Sequence, residues 1–365
     1  MENRLVLAVI SVIAPALVWF MSLFVPGRSP AIMARECRNK CRVMTWVQRH
    51  RSYIDLFGSK APALIVDEIY AADPFGGLWI FEGLGKDVFE AGLIRSPLMD
   101  GLLAARAPAD PRGDPRFMLY AGMGIGIARK AIKKLDRGGD EQSLIRAVSG
   151  VLAQCDELAP SGYVGAAVES LGLASRFMRD ADFCRRVQGV LAVSRPSALP
   201  FFWHGVGRAI YFHPLTFLPT GRTALPAVDL CRREAPNAEA ESSMLAGVAW
   251  AATLVNMSCP EVGEWILRDW PTDQREKEPL VAGVLSAVAM RCATAPMDEN
   301  VAIAIRHRST DRAAVWQAFV QAPFVAARER LCPSLLRRGN LDEVFGASSR
   351  RVLAEAAGED CWPLE

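Results

Sequence analysis

The sequence predicts a mostly α-helical chain: a single transmembrane helix at the amino terminus, then a helical-repeat domain of solenoid or toroid-like form. Three observations carry this expectation. Leu5 to Val25 is an uncharged apolar run, a small-residue helical motif then recurs at intervals near forty residues, and period-two alternation of strand length is scarce along all 365 residues. A closed globular bundle is the alternative, since periodicity alone does not separate it from an arc. The expected organisation is an anchor over 1–27, a basic juxtamembrane segment with the first helix over 28–60, and the helical-repeat domain over 61–365.

Taken in order, the run LVLAVISVIAPALVWFMSLFV would span about 31 Å as a helix, the thickness of a hydrocarbon core. A cleaved signal peptide has a shorter apolar region and a small-x-small site, whereas this run ends Phe24-Val25-Pro26-Gly27-Arg28. A retained anchor is therefore the preferred reading. Arg4 precedes the span, and Arg28, Arg35, Arg38, Lys40, Arg42, Arg49 and Arg51 follow it, so the positive-inside bias places the body in the cytoplasm. The same basic stretch suits anionic head groups, at about 1 kcal/mol per residue near the surface. Cys37 and Cys41 form the one close pair among nine cysteines, one helical turn apart; His50 is a poor candidate to complete a metal site with them, and idle thiols are preferred over palmitoylation.

The repeat follows. Its copies are EGLGKDVF (82–89), AGMGIGIA (121–128), ESLGLASR (169–176), HGVGRAIY (204–211), AGVAWAAT (246–253) and the weaker AGVLSAVA (282–289). Aligned on the first small residue (Gly83, Gly122, Ser170, Gly205, Gly247, Gly283) they are spaced 39, 48, 35, 42 and 36 residues apart. Such a period indicates stacked helical hairpins. We number that residue 0. Positions 0 and +4 share one helix face, and small residues there let two backbones approach, so Gly83, Gly85, Gly122, Gly124, Gly126, Gly205, Gly207 and Gly247 read as helix-packing surface. A dinucleotide loop is excluded because Val88, Ile127 and Ile210 stand where its third Gly or Ala belongs. Amphipathic segments alternate with the copies, at 142–158, 181–193, 224–234, 261–270 and 313–322.

Function classes narrow by elimination. Lys plus Arg (42) nearly balance Asp plus Glu (40), which removes a dedicated nucleic-acid binder, and H-E-x-x-H, G-x-S-x-G, Walker and C-x-x-C motifs are absent. No cofactor or metal is expected. Glu82, Glu169 and His204 all occupy position −1, and equivalent positions of a solenoid line one surface, so these three with Arg208 form a candidate groove. The structural alternative, favoured from sequence, has them bonding neighbouring helices or pairing with Arg129, Arg176 or Arg208. His213 and Asn256 complete the polar set. Trp203, Tyr211, Phe212 and Phe217 around the fourth copy suit either core or a pocket for a flat or polyene-like ligand.

Phe81-Glu82-Gly83 with Gly85, the 122–128 segment, Phe202-Trp203-His204-Gly205-Val206-Gly207-Arg208-Ala209 and the 245–252 segment together resemble an uncharacterised bacterial family, a domain of unknown function encoded in enediyne antibiotic clusters, over roughly residues 45–330. The resemblance implies at most a supporting role in making or handling a polyketide-type metabolite; the amino-terminal span, which is not part of it, is what gives the expected bacterial inner-membrane setting. It carries over no reaction, cofactor or catalytic residue. The leading functional expectation is a non-catalytic binding or assembly subunit with a protein partner at the cytoplasmic face; the alternative is an accessory enzyme or carrier for a lipophilic metabolite.

Overall fold

The structure, a computed structural model, describes residues 2–24, 29–49, 61–72, 74–93, 95, 97–104, 113–135, 140–216, 226–270, 274–296, 298–309, 313–346 and 348–357. Arg28, His50, Arg51, Phe217 and Cys361 lie outside them. Among the described residues every regular element is helical and no strand occurs. In order the helices are α1 (Glu2–Ser22), α2 (Pro30–Arg49), α3 (Pro62–Ala72), α4 (Pro74–Glu90), α5 (Pro97–Ala104), α6 (Arg116–Lys133), α7 (Glu141–Leu158), α8 (Val164–Met178), α9 (Ala181–Ser194), α10 (Leu199–Tyr211), α11 (Pro226–Glu234), α12 (Ala238–Asn256), α13 (Pro260–Asp269), α14 (Gln274–Thr294), α15 (Asn300–Arg306), α16 (313–338, with two π-helical stretches), α17 (Glu343–Gly346) and α18 (Ser349–Ala357). Proline opens six of the first thirteen, a position where its missing N–H would be unbonded in any case. Asp140, Asp180 and Asn237 cap α7, α9 and α12 by accepting the N–H of Ser143, Phe183 and Ala240.

The six repeat copies lie on α4, α6, α8, α10, α12 and α14, which pack side by side in chain order as an inner layer. Helices α7, α9, α11 and α13 connect them around the outside. What brings the inner helices together is backbone contact. A Cβ on Gly122 would stand 1.9 Å from the carbonyl oxygen of Glu82, one on Gly205 2.0 Å from that of Glu169, one on Gly247 2.1 Å from that of His204, and one on Gly283 2.4 Å from that of Ala246. Each of these is position 0 of one copy against position −1 of the copy before. Ser170, the sole serine at position 0, instead donates its hydroxyl to the carbonyl of Ala121, again position −1 of the preceding copy, at 2.8 Å.

Position +2 makes the reciprocal contact. Hypothetical Cβ atoms on Gly85, Gly124, Gly172 and Gly207 would fall 1.8–2.2 Å from the carbonyl oxygens of Leu119, Ala167, Phe202 and Met244, each at position −3 of the following copy. At about 100° per residue, positions 0 and +2 lie roughly 200° apart, so a helix offers one small face backward and one forward along the array. Gly126, at +4, shares the backward face and meets Phe89. Gly83 is buried on α4.

The array curls until its two ends meet. Tyr70 donates its hydroxyl to the Thr294 carbonyl at 2.6 Å, Arg291 reaches the Phe75 carbonyl at 3.4 Å, and the Asp114 N–H bonds the Ala293 carbonyl at 3.4 Å. Gly113 makes this junction with φ +103°, and a Cβ there would lie 2.1 Å from the Thr294 oxygen, so only glycine fits on both counts.

The expected transmembrane helix is corrected. No helix is long and apolar enough, among the described residues, to cross a membrane. Helix α1 stops at Ser22, so its apolar part runs from 5 to 22, about 27 Å rather than 31 Å. One side of it is also committed to protein: Pro15, Val18 and Ser22 are buried, and Val18 joins Met33, Cys37 and Cys41 of α2 and Trp265 of α13 in a small core. The single-pass topology falls with the span. Cys37 and Cys41 are thus packing groups, almost wholly buried.

Glycine positions separate by role. Gly150 and Gly189 sit in the outer helices α7 and α9 with nothing within 4 Å of a would-be Cβ. Replacing either with alanine is expected to raise stability by about 0.4–1 kcal/mol, whereas Gly205→Ala or Gly172→Ala is expected to lower it by about 1–3 kcal/mol or to prevent folding. Thermal or urea unfolding of the four variants checks the contrast.

Candidate functional site

With positions 0 and +2 turned toward neighbouring helices, positions −1 and +3 fall between them and face the centre of the curl. Position −1 supplies Glu82, Glu169 and His204, and position +3 supplies Arg208, Trp250 and Ser286. All six are buried.

The four expected groove residues come together there. Arg208 donates through Nη2 to Glu82 Oε1 and through Nη1 to Glu169 Oε2 at 3.3 Å, linking α10 to α8 beside it and to α4 three helices away. His204 Nδ1 lies 3.2 Å from the other Glu169 oxygen. The Arg208 guanidinium also sits over the Trp250 ring, 5.4 Å from its centroid. They do not form an open groove, because at 0–3% exposure each lies inside the core.

Burial dominates the protonation of this cluster. It pushes the Glu82 carboxyl above its ordinary value; the Arg208 charge opposes the shift and the Glu169 charge adds to it. Burial also lowers the His204 imidazole, more than its bond to Glu169 and the charge there can restore. For Arg208 the burial penalty is outweighed by the two carboxylates, and its affinity for the proton rises. His204 is accordingly a neutral imidazole at neutral pH. With the Glu169 carboxylate accepting, the imidazole proton belongs on Nδ1, and Nε2 is left as a lone-pair acceptor. That Nε2 is buried without a hydrogen-bond partner, as is the indole N–H of Trp250, whose ring stands edge-on to His204 at 5.8 Å.

His204 also lines a cavity of about 960 Å³ on the inner side of the last three copies. His204, Ala246, Ala282 and Ser286, at inward positions −1 and +3, line it, and Phe345 of α17 closes over the His204 ring with centroids 5.0 Å apart. Leu245, Val344 and Val352 supply apolar wall; Ser242, Ser243, Ser348 and Ser349 supply hydroxyls; Glu239, Glu278 and Arg350 supply charge. Glu82, Glu169 and Arg208 stand behind His204, outside the lining.

The remaining sequence candidates disperse. Arg129 bonds Glu90, and Arg176 pairs with Glu234 of α11 at 2.7 Å. Trp203 donates to Gln188 of α9 at 2.9 Å, while Tyr211 bonds Glu36 of α2 at 3.0 Å and Phe212 stacks edge-on against it. The aromatic cluster is core split between two neighbours and not one ligand pocket. Asn256 belongs to a second buried network, donating to the Tyr211 hydroxyl at 2.9 Å and accepting from Asn39 at 3.0 Å. Among the described residues no group of His, Cys, Asp and Glu side chains is arranged to hold a metal ion.

Sequence reasoning missed Trp250, Ser286 and Phe345. The first two carried a signal, since +3 shares a face with −1 in every copy. Phe345 carried none.

Two outcomes follow from the buried cluster. Arg208→Met strands the carboxylates without their counter-charge and is expected to destabilise the fold by about 3–5 kcal/mol in urea titration. Glu82 has a raised value in the folded state, so its stabilising contribution is complete below its ordinary 4.5 and is lost as pH rises through the folded value. Glutamine does not titrate. The Tm of Glu82→Gln relative to the native chain should therefore climb as pH is raised above 4.5, and a relative fall would contradict the assignment.

Comparison with known proteins gives no match to a family model, to a curated protein or to a solved structure.

Proposed function

We propose that this protein is a non-catalytic binding protein for an amphiphilic small molecule seated in the 960 Å³ cavity. The observation that carries the reading is His204: its Nδ1 is held by Glu169, its Nε2 is a buried acceptor without a partner, and its ring lines the cavity. A ligand hydroxyl donating to that nitrogen would satisfy it, and an unsatisfied buried polar atom otherwise carries a penalty of about 1–3 kcal/mol. The lining mixes apolar wall with serine hydroxyls, which suits a hydroxylated, largely hydrocarbon molecule. A polyketide-type metabolite, the class suggested by the family resemblance, has that chemistry. Of the four expected groove residues only His204 lines the cavity; Glu82, Glu169 and Arg208 pair with one another across the inner helices, so the reading rests on His204 alone.

A second reading rests on the same dyad. A neutral imidazole oriented by a carboxylate, with its other nitrogen unpaired and its residue lining a cavity, is also the arrangement of a general base.

Native mass spectrometry of protein purified from its own cells tests both. Ser243→Trp fills the cavity from a half-buried lining position without touching the cluster. A small molecule that accompanies the native chain, is lost from Ser243→Trp and from His204→Ala, and leaves circular dichroism unchanged is the expected result. Protein free of any small molecule, or occupancy indifferent to Ser243→Trp, would overturn it. Chemical conversion of the bound molecule by the native chain and not by His204→Gln would favour the catalytic reading.

A further inference from the structure

Helix α1 presents two different sides. Pro15, Val18 and Ser22 turn toward α2, while Val12, Ile13, Leu17, Trp19, Phe20, Leu23 and Phe24 are 45–71% exposed. Seven large apolar side chains on one short stretch, with no charged residue between Leu5 and Val25, make an exposed patch of the kind that marks an interaction surface. Helix α2 beside it is equally divided. Glu36, Asn39 and Lys40 face the array and are consumed there: Glu36 by Tyr211, Asn39 by Asn256, and Lys40 by the Thr216 carbonyl and by Glu36 at 3.2 Å. Its outward face carries Arg35, Arg38 and Arg42, spaced three and four residues apart and all exposed. Arg38 sits directly against α1, lining a shallow groove with Val12, Pro15, Ala16 and Trp19. Of the other two, Arg35 pairs with Glu261 and Arg42 stacks over Trp46 at 4.8 Å.

We propose that the α1–α2 hairpin docks lengthwise on an anionic lipid bilayer, the exposed face of α1 entering the boundary between head groups and acyl chains and the α2 arginines engaging lipid phosphates. An apolar face bearing an aromatic residue and flanked by cations is the pattern of an interfacial helix. The orientation is fixed, since the opposite side of α1 is held in the small core with Met33, Cys37, Cys41 and Trp265, so the helix lies along the surface. Charge selects the occupant. A second copy of this chain placed on the same face by two-fold symmetry would bring the arginine rows of both copies together, whereas an anionic surface neutralises them.

The test uses the full chain and sedimentation with unilamellar vesicles of phosphatidylcholine alone or with 30% phosphatidylglycerol. The expected result is binding to the phosphatidylglycerol vesicles that weakens about fivefold with Arg38→Ala and again with Arg42→Ala, falls in 0.5 M salt, and drops at least tenfold with Leu17→Glu/Phe20→Glu. The last pair replaces exposed positions, and circular dichroism verifies that the fold survives. Equal binding to both vesicle types would overturn the role of the arginines. No vesicle binding, together with a dimer in analytical ultracentrifugation that Leu17→Glu/Phe20→Glu dissociates, would overturn the proposal and assign the face to a second copy.

Discussion

The contact of a glycine on one inner helix with a backbone carbonyl on the next is the constraint from which the rest of this molecule follows. Side chains ordinarily hold packed helices about 8–10 Å apart; removing the Cβ at positions 0 and +2 lets main chains touch directly, as the sub-2.5 Å clashes of hypothetical Cβ atoms record. Glycine inside a helix costs about 1 kcal/mol of propensity, and that penalty is offset by dispersion contacts over the length of each interface. Because the two glycine faces point in opposite senses, α6 and α10, which carry both, are fixed in rotation as well as in distance. Rotation then decides which residues see the centre.

The centre it creates is lined by buried side chains and differs between its two ends. Toward the first four copies, Arg208 bridges Glu82 and Glu169 and ties α4, α8 and α10 to one guanidinium. Such a cluster is poor evidence of added stability, since desolvating three charged groups consumes much of what their attraction returns. Its effect is on geometry: Glu169, held by Arg208 on one oxygen, sets the His204 ring with the other. Toward the last three copies the small inward residues Ala246, Ala282 and Ser286 line a cavity with His204, while Trp250 fills the other inward position of the fifth copy. The cluster and the cavity are thus two consequences of one repeat, meeting at His204.

Much of this was legible in the chain, and the rest was hidden for identifiable reasons. Six small-residue copies at a period near forty named the inner helices, and equivalence of Glu82, Glu169 and His204 at position −1 named three of the four central groups. The reading paired positions 0 and +4 as one face and left +2 without a direction; the structure gives +2 the forward face, from which +3 emerges as inward and Trp250 and Ser286 become visible. Phe345 reaches the site from a four-residue helix with no periodicity, and tertiary packing alone places it. Hydropathy misassigned α1 because an apolar run reports only that it avoids water. Its helix ends at Ser22, and one side of it packs on Val18, Cys37 and Trp265.

The account makes one claim above all others: that glycine-on-carbonyl contacts hold His204 as a buried, neutral imidazole with its proton on Nδ1. Nitrogen-15 NMR of the histidine side chains reads both tautomer and titration directly. The prediction is an Nδ1–H resonance for His204 that stays neutral below the ordinary imidazole value of 6.5, and that reverts toward ordinary titration in Gly172→Ala under conditions where circular dichroism shows that variant folded, because a Cβ there would push Glu169 on α8 away from His204 on α10 without altering either side chain. A His204 that titrates near 6.5 in the native chain, or one whose titration is indifferent to Gly172→Ala, would contradict it.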